Sequence, residues 1–573
     1  MKQGPCPFSD AQVSGQAAKN GANRAQIELG ATELRATCEA GSWAARPRRV
    51  YSVPLWRRNT MGMLKADLEA AGFELIETHI SWVFLGEAEV FKVKRPVDLG
   101  FLDFTTLEKR REACEAEVRL NRRLAPEVYI DVVPITVDAA GVHEVAGRGM
   151  VVDWAVRMRR LTVGSRADEL LKAGLLDPRH IDELAAHIAR FHEGARCDAE
   201  TSRHGEVTTI RRNVKENFAQ TRGSIGHYLS APQAREIERW QLDVLSDEGR
   251  FTARVETGRV RDGHGDLRLE HVYFGIDRSI TIIDCIEFND RFRYGDICAD
   301  IAFLSMDLAW HGRVDLAERF LASYARASND YDLYSVVNFY ESYRAFVRGK
   351  VASLLADDTE ASTDARERAR REARRYFVLS LAYERPPLVP PRVVVIGGMI
   401  ASGKSRAAAT VGALLAAPVI SSDRTRKHLM GRDPTASMQS KAWSGAYSPS
   451  ATEAVYEELW RLSDVVLSSG RPVVLDASFR TAAMRDAARG LADRHGVPFL
   501  LVECSAPREL IRERLAARES VGAHESDART DVLDEFERSF EPIDELSPSE
   551  HLRLDTSRPR EEVQTELEAI FGS

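Results

Sequence analysis

Cysteine is scarce and shows no pattern. Seven residues (Cys6, Cys38, Cys114, Cys197, Cys285, Cys298 and Cys504) are scattered over 573 positions, without a CxxC pair or zinc-finger spacing. That excludes a disulfide scaffold and a structural zinc module, and the expectation is reduced thiols in a cytoplasmic protein. Long apolar runs are missing as well: no stretch approaches the length of a membrane span, so no membrane partner is expected. A basic excess is also absent. The net charge of −8 argues against a dedicated nucleic-acid binder, although not against a small or single-stranded substrate. What is present, 44% apolar and 29% charged residues, is ordinary for a soluble globular chain. At this length a single hydrophobic core does not suffice, and several domains are expected.

Residues 1–60 stand apart, with nine Lys/Arg against four Asp/Glu and little hydrophobic periodicity. No apolar core of a secretory signal follows the first residues. This segment is expected to be a disordered extension: either a basic tail, or sequence upstream of a true start at Met61 or Met63. From 61 to about 385 the pattern is strand-rich and then helical. "SWVFLGEAEVFKVKR" reads as two strands joined by a tight turn at Gly86, and residues 107–125 carry helical spacing of Leu107, Cys114, Val118 and Leu124. "IDELAAHIARFHEGA" reads as a further amphipathic helix, and the arginine-rich run after Glu360 as a solvated helix face. "ERPPLVPPR" then holds four prolines in nine residues, which no helix tolerates. A stiff linker over 386–392 is expected there. From 393 to 573, apolar strands alternate with polar helices, the pattern of a parallel sheet with helices on both faces.

Two stretches carry chemistry. In the second domain Gly398, Met399, Ile400, Ala401, Ser402, Gly403, Lys404 and Ser405 fit G-x-x-x-x-G-K-[ST], after an apolar strand and before a helix. Glycines there let the backbone wrap a phosphate, and the helix N-terminus adds partial positive charge. Lys404 is placed to bridge the β- and γ-oxygens of ATP, and the Ser405 hydroxyl to ligate Mg²⁺. Downstream, "VISSDRTRKHLMG" sets Asp423 and Arg426 at the end of the next strand. This D-x-x-R resembles the acceptor site of the P-loop kinases that include polynucleotide 5′-kinases, gluconate-type kinases and zeta toxins. The resemblance implies that Asp423 takes the proton of the attacking hydroxyl and that Arg426 steers substrate or phosphate. Asp476, ending "PVVLD", takes a Walker-B-like position for Mg²⁺. "LIRERLAARESVGAHESDAR" resembles the lid of these kinases, with Arg514 and Arg518 as its arginines.

In the first domain "HGDLRLEHV" resembles the aminoglycoside phosphotransferase family, relatives of the protein kinases, whose loop reads H-G-D-x-x-x-x-N. The resemblance implies that Asp266 is the catalytic base and that Arg268 lies near the transferred phosphate. Asp284 in "TIIDCIEFND" then stands for the metal-binding aspartate, and Asp300 for the residue that braces the loop. Either Lys92 or Lys94 of "VFKVKR" implies the nucleotide lysine, with Glu117 its helix partner; the two lysines share one strand face. No G-x-G-x-x-G run precedes them. His271 stands where the asparagine metal ligand is usual, and imidazole is a poor ligand for Mg²⁺. Two readings stay open: an active lobe with an altered metal site, or a regulatory one.

Over about 63–573 the chain resembles bacterial proteins that join an aminoglycoside phosphotransferase-like domain to a P-loop ATP-binding domain. The resemblance implies an α/β multi-domain fold: a protein-kinase-like bilobal domain, then a P-loop kinase domain with a parallel sheet flanked by helices. The function expected is transfer of the γ-phosphate of ATP, with Mg²⁺, to hydroxyls of small sugar-like or aminoglycoside-like acceptors by two domains. Alternatives are a polynucleotide 5′-hydroxyl kinase in the second domain and a nucleotide-sensing protein with a pseudokinase first domain. Residues 389–573 hold 23 Lys/Arg against 28 Asp/Glu, which weakens the polynucleotide reading. The sequence names no acceptor and sets no oligomeric state.

Overall fold

The computed structural model describes residues 55–78, 80–98, 102–358, 362–381, 387–432, 445–521 and 533–572. It opens on helix α1 (Leu55–Ala70), so the boundary expected at residue 60 falls inside a helix. Apolar residues facing a sheet hold its C-terminal half: Leu64 and Leu68 are buried against Trp82, Phe84, Phe91 and Val93. The expected disordered extension otherwise lies outside the described residues.

Six strands follow: β1 (Glu74–Glu77), β2 (Ser81–Leu85), β3 (Glu89–Lys94), β4 (Tyr129–Val137), β5 (His143–Val145) and β6 (Met150–Arg159). They form one antiparallel sheet in the order β1-β2-β3-β6-β4-β5. The turn expected at Gly86 is there, closed by its amide on the Glu89 carbonyl. Alternation along β3 sorts its side chains between two faces. Phe91 and Val93 join the cluster under α1, while Val90 packs with Cys114 and Val118 of helix α2 (Leu107–Asn121) on the other face. Lys92 and Lys94 therefore point toward α2. Thr106 caps α2 by accepting the Lys109 amide, and the helix stops at Asn121, short of the 125 that the apolar spacing suggested. Pro126 explains the early stop, since the residue before a proline is driven out of helical backbone.

Beyond the sheet the first domain is helical, with the apolar helix Cys298–Trp310 at its centre and helices Pro178–Gly194, Val314–Ser328 and Val337–Ala356 around it. The arginine-rich segment forms helix Thr363–Leu379, with Ala369, Ala373, Tyr376 and Phe377 turned inward. Two small antiparallel pairs sit under the sheet. Val260–Asp262 pairs with Tyr294–Asp296, and Val272–Phe274 with Ile280–Ile282. They pin the loops that carry Asp266 and Asp284. This is a bilobal, protein-kinase-like arrangement.

Residues 387–392 have no regular structure, and 393 begins a five-stranded, wholly parallel sheet. Its strand order is Val419–Ser421, Val473–Asp476, Val393–Gly398, Phe499–Ser505, His551–Asp555. Parallel strands need crossovers, and the helices between them supply these and cover both faces. Among the described residues no helix is long and apolar enough to cross a membrane.

The helical lobe and the parallel-sheet domain share one apolar core, which takes in Tyr331, Tyr334 and Val336 with Leu459, Leu462 and Val466. The Tyr331 hydroxyl donates to the Val419 carbonyl at 2.6 Å. Arg471 grips Glu318 with two bonds, 2.6 and 3.2 Å, at a nearly dry contact. Removing one partner of such a pair strands a charge and costs about 3–5 kcal/mol. Glu318→Ala is therefore expected to lower the denaturation midpoint strongly. Asp315→Ala, which breaks an exposed pair with Arg313, is expected to cost about 1 kcal/mol or less. Guanidinium titration of both variants checks the contrast; equal small losses would show the contact to be incidental.

Candidate active sites

Two clusters of charged groups are built at loop ends, one in each domain. In the first, β3 sends Lys92 and Lys94 toward Glu117 of α2. Lys92 Nζ lies 2.8 Å from Glu117 Oε1 and 2.6 Å from Asp284 Oδ1. Lys94 Nζ lies 2.5 Å from Glu117 Oε2 and also pairs with Glu287. The lysines differ in access: the Lys92 side chain is 15% exposed and that of Lys94 is 0%. Lys92 is thus the one that faces the cleft, and Lys94 is a buried counter-charge. Burial works against the charge on Lys92, but Asp284 and Glu117 outweigh it and hold its pKa well above the ordinary lysine value. Burial likewise raises Glu287, which stays close to its partner Lys94.

Asp284 adopts a left-handed backbone, φ +66°, rare for a residue with a side chain. Its amide donates to the Tyr129 hydroxyl at 3.2 Å. Strain of this kind persists where surrounding contacts over-determine it, and it gathers at functional sites.

The loop holding Asp266 is braced from helix Cys298–Trp310. Asp300 accepts the His264 amide at 2.7 Å and the Gly265 amide at 2.9 Å, and its carboxylate is held low against the opposing cost of burial. Gly265 has φ +87°, and a Cβ there would meet the Phe292 carbonyl oxygen at 2.7 Å, so the turn requires glycine. His264 Nε2 donates to the Ile283 carbonyl at 3.0 Å, tying this loop to the residue before Asp284. Arg268 bonds both oxygens of Asp266 at 3.0 Å. Its guanidinium is buried and also pairs with Glu270, so in this structure it clamps the expected base instead of facing an open phosphate position. Burial raises the Asp266 pKa, and Arg268 followed by His271 reverses this and leaves it below the usual carboxylate value. His271 lies between the aspartates: Nδ1 is 2.7 Å from the Asp266 carbonyl oxygen and Nε2 is 3.8 Å from Asp284 Oδ2. A cavity of about 120 Å³ opens beside Asp266, lined with Asn213, Glu216, Asn217, Tyr343 and Arg344. None of these five stood out in the sequence, because they lie on distant helices without a motif.

The second site forms where three parallel strands end. Ile396 and Ser421 both pair with Asp476, and Gly398 pairs with Cys504. Gly398 has φ +126°, and a Cβ on it would strike the Cys504 carbonyl oxygen at 2.3 Å. Gly403, also left-handed, starts helix Lys404–Leu414 with no side-chain cap, so backbone amides at that N-terminus face the loop. This cradle fits a phosphate. Lys404 Nζ folds back on the Met399 carbonyl at 2.6 Å. Burial lifts the Cys504 thiol to about 12, with Lys404 opposing and Asp476 adding, so both charges lie near that strand end. Asp423 sits in the first turn of helix Ser422–Leu429; Arg426, in its last turn, donates to the Ala446 carbonyl at 2.7 Å and lies over the Tyr447 ring. Arg480, just past Asp476, escaped the sequence reading; burial depresses its pKa, Tyr456 opposes this, and Arg426 adds a smaller depression. Arg514 reaches the loop, donating to the carbonyls of Ala401 at 3.3 Å and Thr556 at 2.7 Å. Arg518 falls on the same helix, Arg508–Val521, but its side chain and the following 522–532 lie outside the described residues.

A protein-kinase-like domain joined to a P-loop domain is the class that this fold defines. The chain belongs to the family of the uncharacterized proteins Rv2004c of Mycobacterium tuberculosis and Mb2027c of Mycobacterium bovis. It is 33% identical to each over 487 residues, which span 85% of this chain and 92% of theirs. Residues 393–543 match the family model described as an AAA domain. Among solved structures, a gluconokinase from Sinorhizobium meliloti covers 31% of this chain and 90% of its own, at 19% identity and TM-score 0.23. The Mycobacterium tuberculosis APS kinase CysC in complex with AMPPNP and APS covers 32% and 99%, at 21% identity and TM-score 0.25. A choline/ethanolamine kinase family protein from Mesorhizobium loti covers 56% and 98%, at 14% identity and TM-score 0.32.

The His264 brace carries a pH signature. Burial lowers its pKa from 6.5 to about 4. The unfolded chain binds a proton below 6.5 that the folded chain refuses until about 4, so this contribution is full above 6.5 and is lost as pH falls through that window. The loss amounts to about 3 kcal/mol at most. His264→Asn should flatten the slope of stability against pH between these values, measured by denaturant midpoints beside wild type; parallel slopes would show that His264 is protonated or solvated in the fold.

Proposed function

We propose that this protein is an ATP-dependent phosphotransferase with two kinase-type sites, each serving the hydroxyl of a small molecule. The observation that carries the reading is the Lys92 ammonium held by Glu117 and Asp284 at 2.8 and 2.6 Å, beside the braced Asp266 loop. A strand lysine fixed by a helix glutamate and aimed at a metal-type aspartate is what anchoring of the α- and β-phosphates requires. Asp284 would hold a divalent cation in the first site, and Asp476 with the Ser405 hydroxyl would hold Mg²⁺ in the second. The ion, when bound, would neutralise charge that develops on the transferred phosphoryl group.

The chain's own residues then divide the work. Asp266, ionised because Arg268 faces it, accepts the proton of a hydroxyl held in the adjoining cavity. Arg268 keeps that carboxylate oriented and supplies positive charge next to the reacting oxygen. Asn213, Glu216, Asn217 and Tyr343 offer hydrogen bonds to a polyol acceptor. In the second site the Gly398–Ser405 loop cradles phosphates, Lys404 turns from Met399 onto the β- and γ-oxygens, Asp423 receives the acceptor proton and Arg426 orients the acceptor. Arg514, already on the loop, closes over it, with Arg518 further along the same helix. A second reading for this site is a polynucleotide 5′-hydroxyl kinase. The neighbouring guanidinium groups of Arg426 and Arg480 favour an anionic acceptor, and salt-sensitive binding of single-stranded oligonucleotides would select that reading.

ATP consumption by the full chain is to be measured with sugars, aminoglycosides, nucleosides and oligonucleotides. Lys404→Ala is expected to cut transfer to one acceptor class by about a hundredfold or more, since it removes a main charge partner of the transition state. Asp266→Ala is expected to do the same to the other class and to spare the first. Turnover that survives both changes within about threefold would overturn the assignment.

Asp423→Asn separates the acceptor side from the nucleotide side of the second site. Transfer should fall while ATP affinity, read by calorimetry, stays nearly unchanged. Collapse of ATP binding would make Asp423 a metal or structural residue.

A further inference from the structure

The phosphotransfer reading uses His271 only as a neighbour of Asp266, yet its ring sits in an asymmetric setting. Nδ1 is 2.7 Å from the Asp266 carbonyl oxygen, a group that can only accept, so Nδ1 carries the proton in a neutral ring. Nε2 then holds a lone pair. That atom is buried, on a side chain 4% exposed, and has no hydrogen-bond partner among the described residues. A buried acceptor left bare is unfavourable unless a ligand completes it. It faces Asp284 Oδ2 at 3.8 Å, while Lys92 occupies the other oxygen of that carboxylate. Two donors at this separation lie within the span that two metal–ligand bonds of about 2.1 Å bridge. A histidine that ligates a metal characteristically donates its second ring N–H to a carbonyl or carboxylate, which is what Nδ1 does here.

The donor pair also limits the ion. Mg²⁺ demands oxygen ligands and an octahedral shell, whereas imidazole with carboxylate suits first-row transition ions. Among the described residues no group of three or more His, Cys, Asp or Glu is arranged to hold a metal. Glu270 Oε1 is 4.0 Å from Nε2 but is taken by Arg268. Two protein donors leave the remaining positions to oxygens that a nucleotide would bring. The geometry points to a nucleotide-dependent cation site in the first domain, in which His271 Nε2 and Asp284 Oδ2 select a manganese-class divalent ion over Mg²⁺. This inference rests on the reading of that domain as a nucleotide site.

The test uses the full chain carrying Lys404→Ala, so that the P-loop site is weakened. Mn²⁺ is titrated with the β,γ-methylene analogue of ATP and observed by electron paramagnetic resonance, with Mg²⁺ as competitor. Expected results are a nitrogen coupling to Mn²⁺ that needs the nucleotide analogue and vanishes in His271→Asn. The preference for Mn²⁺ over Mg²⁺ should fall about tenfold in the same variant. Should His271→Asn fail to fold, protein labelled with nitrogen-15 histidine decides alone, because the label changes the coupling only where a histidine of this chain is the ligand and leaves a nitrogen of the nucleotide base unchanged. Nucleotide-dependent Mn²⁺ binding without that coupling, and with equal preference in both proteins, overturns the inference and leaves the phosphotransfer reading standing. Absence of any nucleotide binding that Lys92→Ala abolishes overturns both.

Discussion

Two lysines on one strand face, driven into a protein interior, constrain the whole first domain. A buried ammonium is tolerated only when carboxylates surround it. Lys92 and Lys94 find theirs on three separate segments: Glu117 on α2, and Asp284 and Glu287 on the loop that follows the small hairpin. Satisfying these charges fixes where α2 lies on the sheet and where the loop passes beneath it. Tyr129, from β4, meets the Asp284 amide and so ties the sheet to the same loop. Removing Glu117 or Glu287 would leave the fully buried Lys94 with a single carboxylate partner.

The loop that carries Asp266 is held by different means toward the same end. Asp300 uses its two oxygens on successive amides, and His264 spans to Ile283. Asp266 is thus positioned by side chains that bond its loop's backbone, and Asp284 by Lys92 and Tyr129. His271 stands between them with one nitrogen engaged and one open. In the second domain the positioning is done by register. Parallel pairing brings Ile396, Ser421 and Asp476 to the C-terminal end of the sheet, and the left-handed glycines let the loop turn tightly above it. One domain aligns its site by buried charge, the other by strand ends.

Packing between the domains adds a further constraint. The core that supports helix Cys298–Trp310, and with it Asp300, continues into the helices behind strand Val473–Asp476. Arg471, at the entry of that strand, is clamped by Glu318 of the first domain. A displacement at either site is therefore resisted by side chains that belong to the other domain, as close packing of interiors requires.

Local chemistry that one short segment completes was readable from the sequence. G-x-x-x-x-G-K-S needs only its own backbone and the strand before it, and the alternation of apolar strands beyond 393 announced the parallel sheet. H-G-D, the aspartate thirteen residues past His271, and the proline-rich break were equally local. What distant segments jointly decide stayed hidden. Lys92 and Lys94 are equivalent by periodicity, and only the depth of the cleft, with Asp284 arriving from 192 residues away, separates them. Arg268 could not be known to clamp Asp266 until the turn of the loop was fixed. The cavity residues Asn213, Glu216 and Tyr343 lie on helices whose patterns report only burial. For His271 the sequence showed a residue in an unusual place, but the direction of each ring nitrogen is set by the Asp266 carbonyl and the Asp284 carboxylate, two groups that only folding brings together.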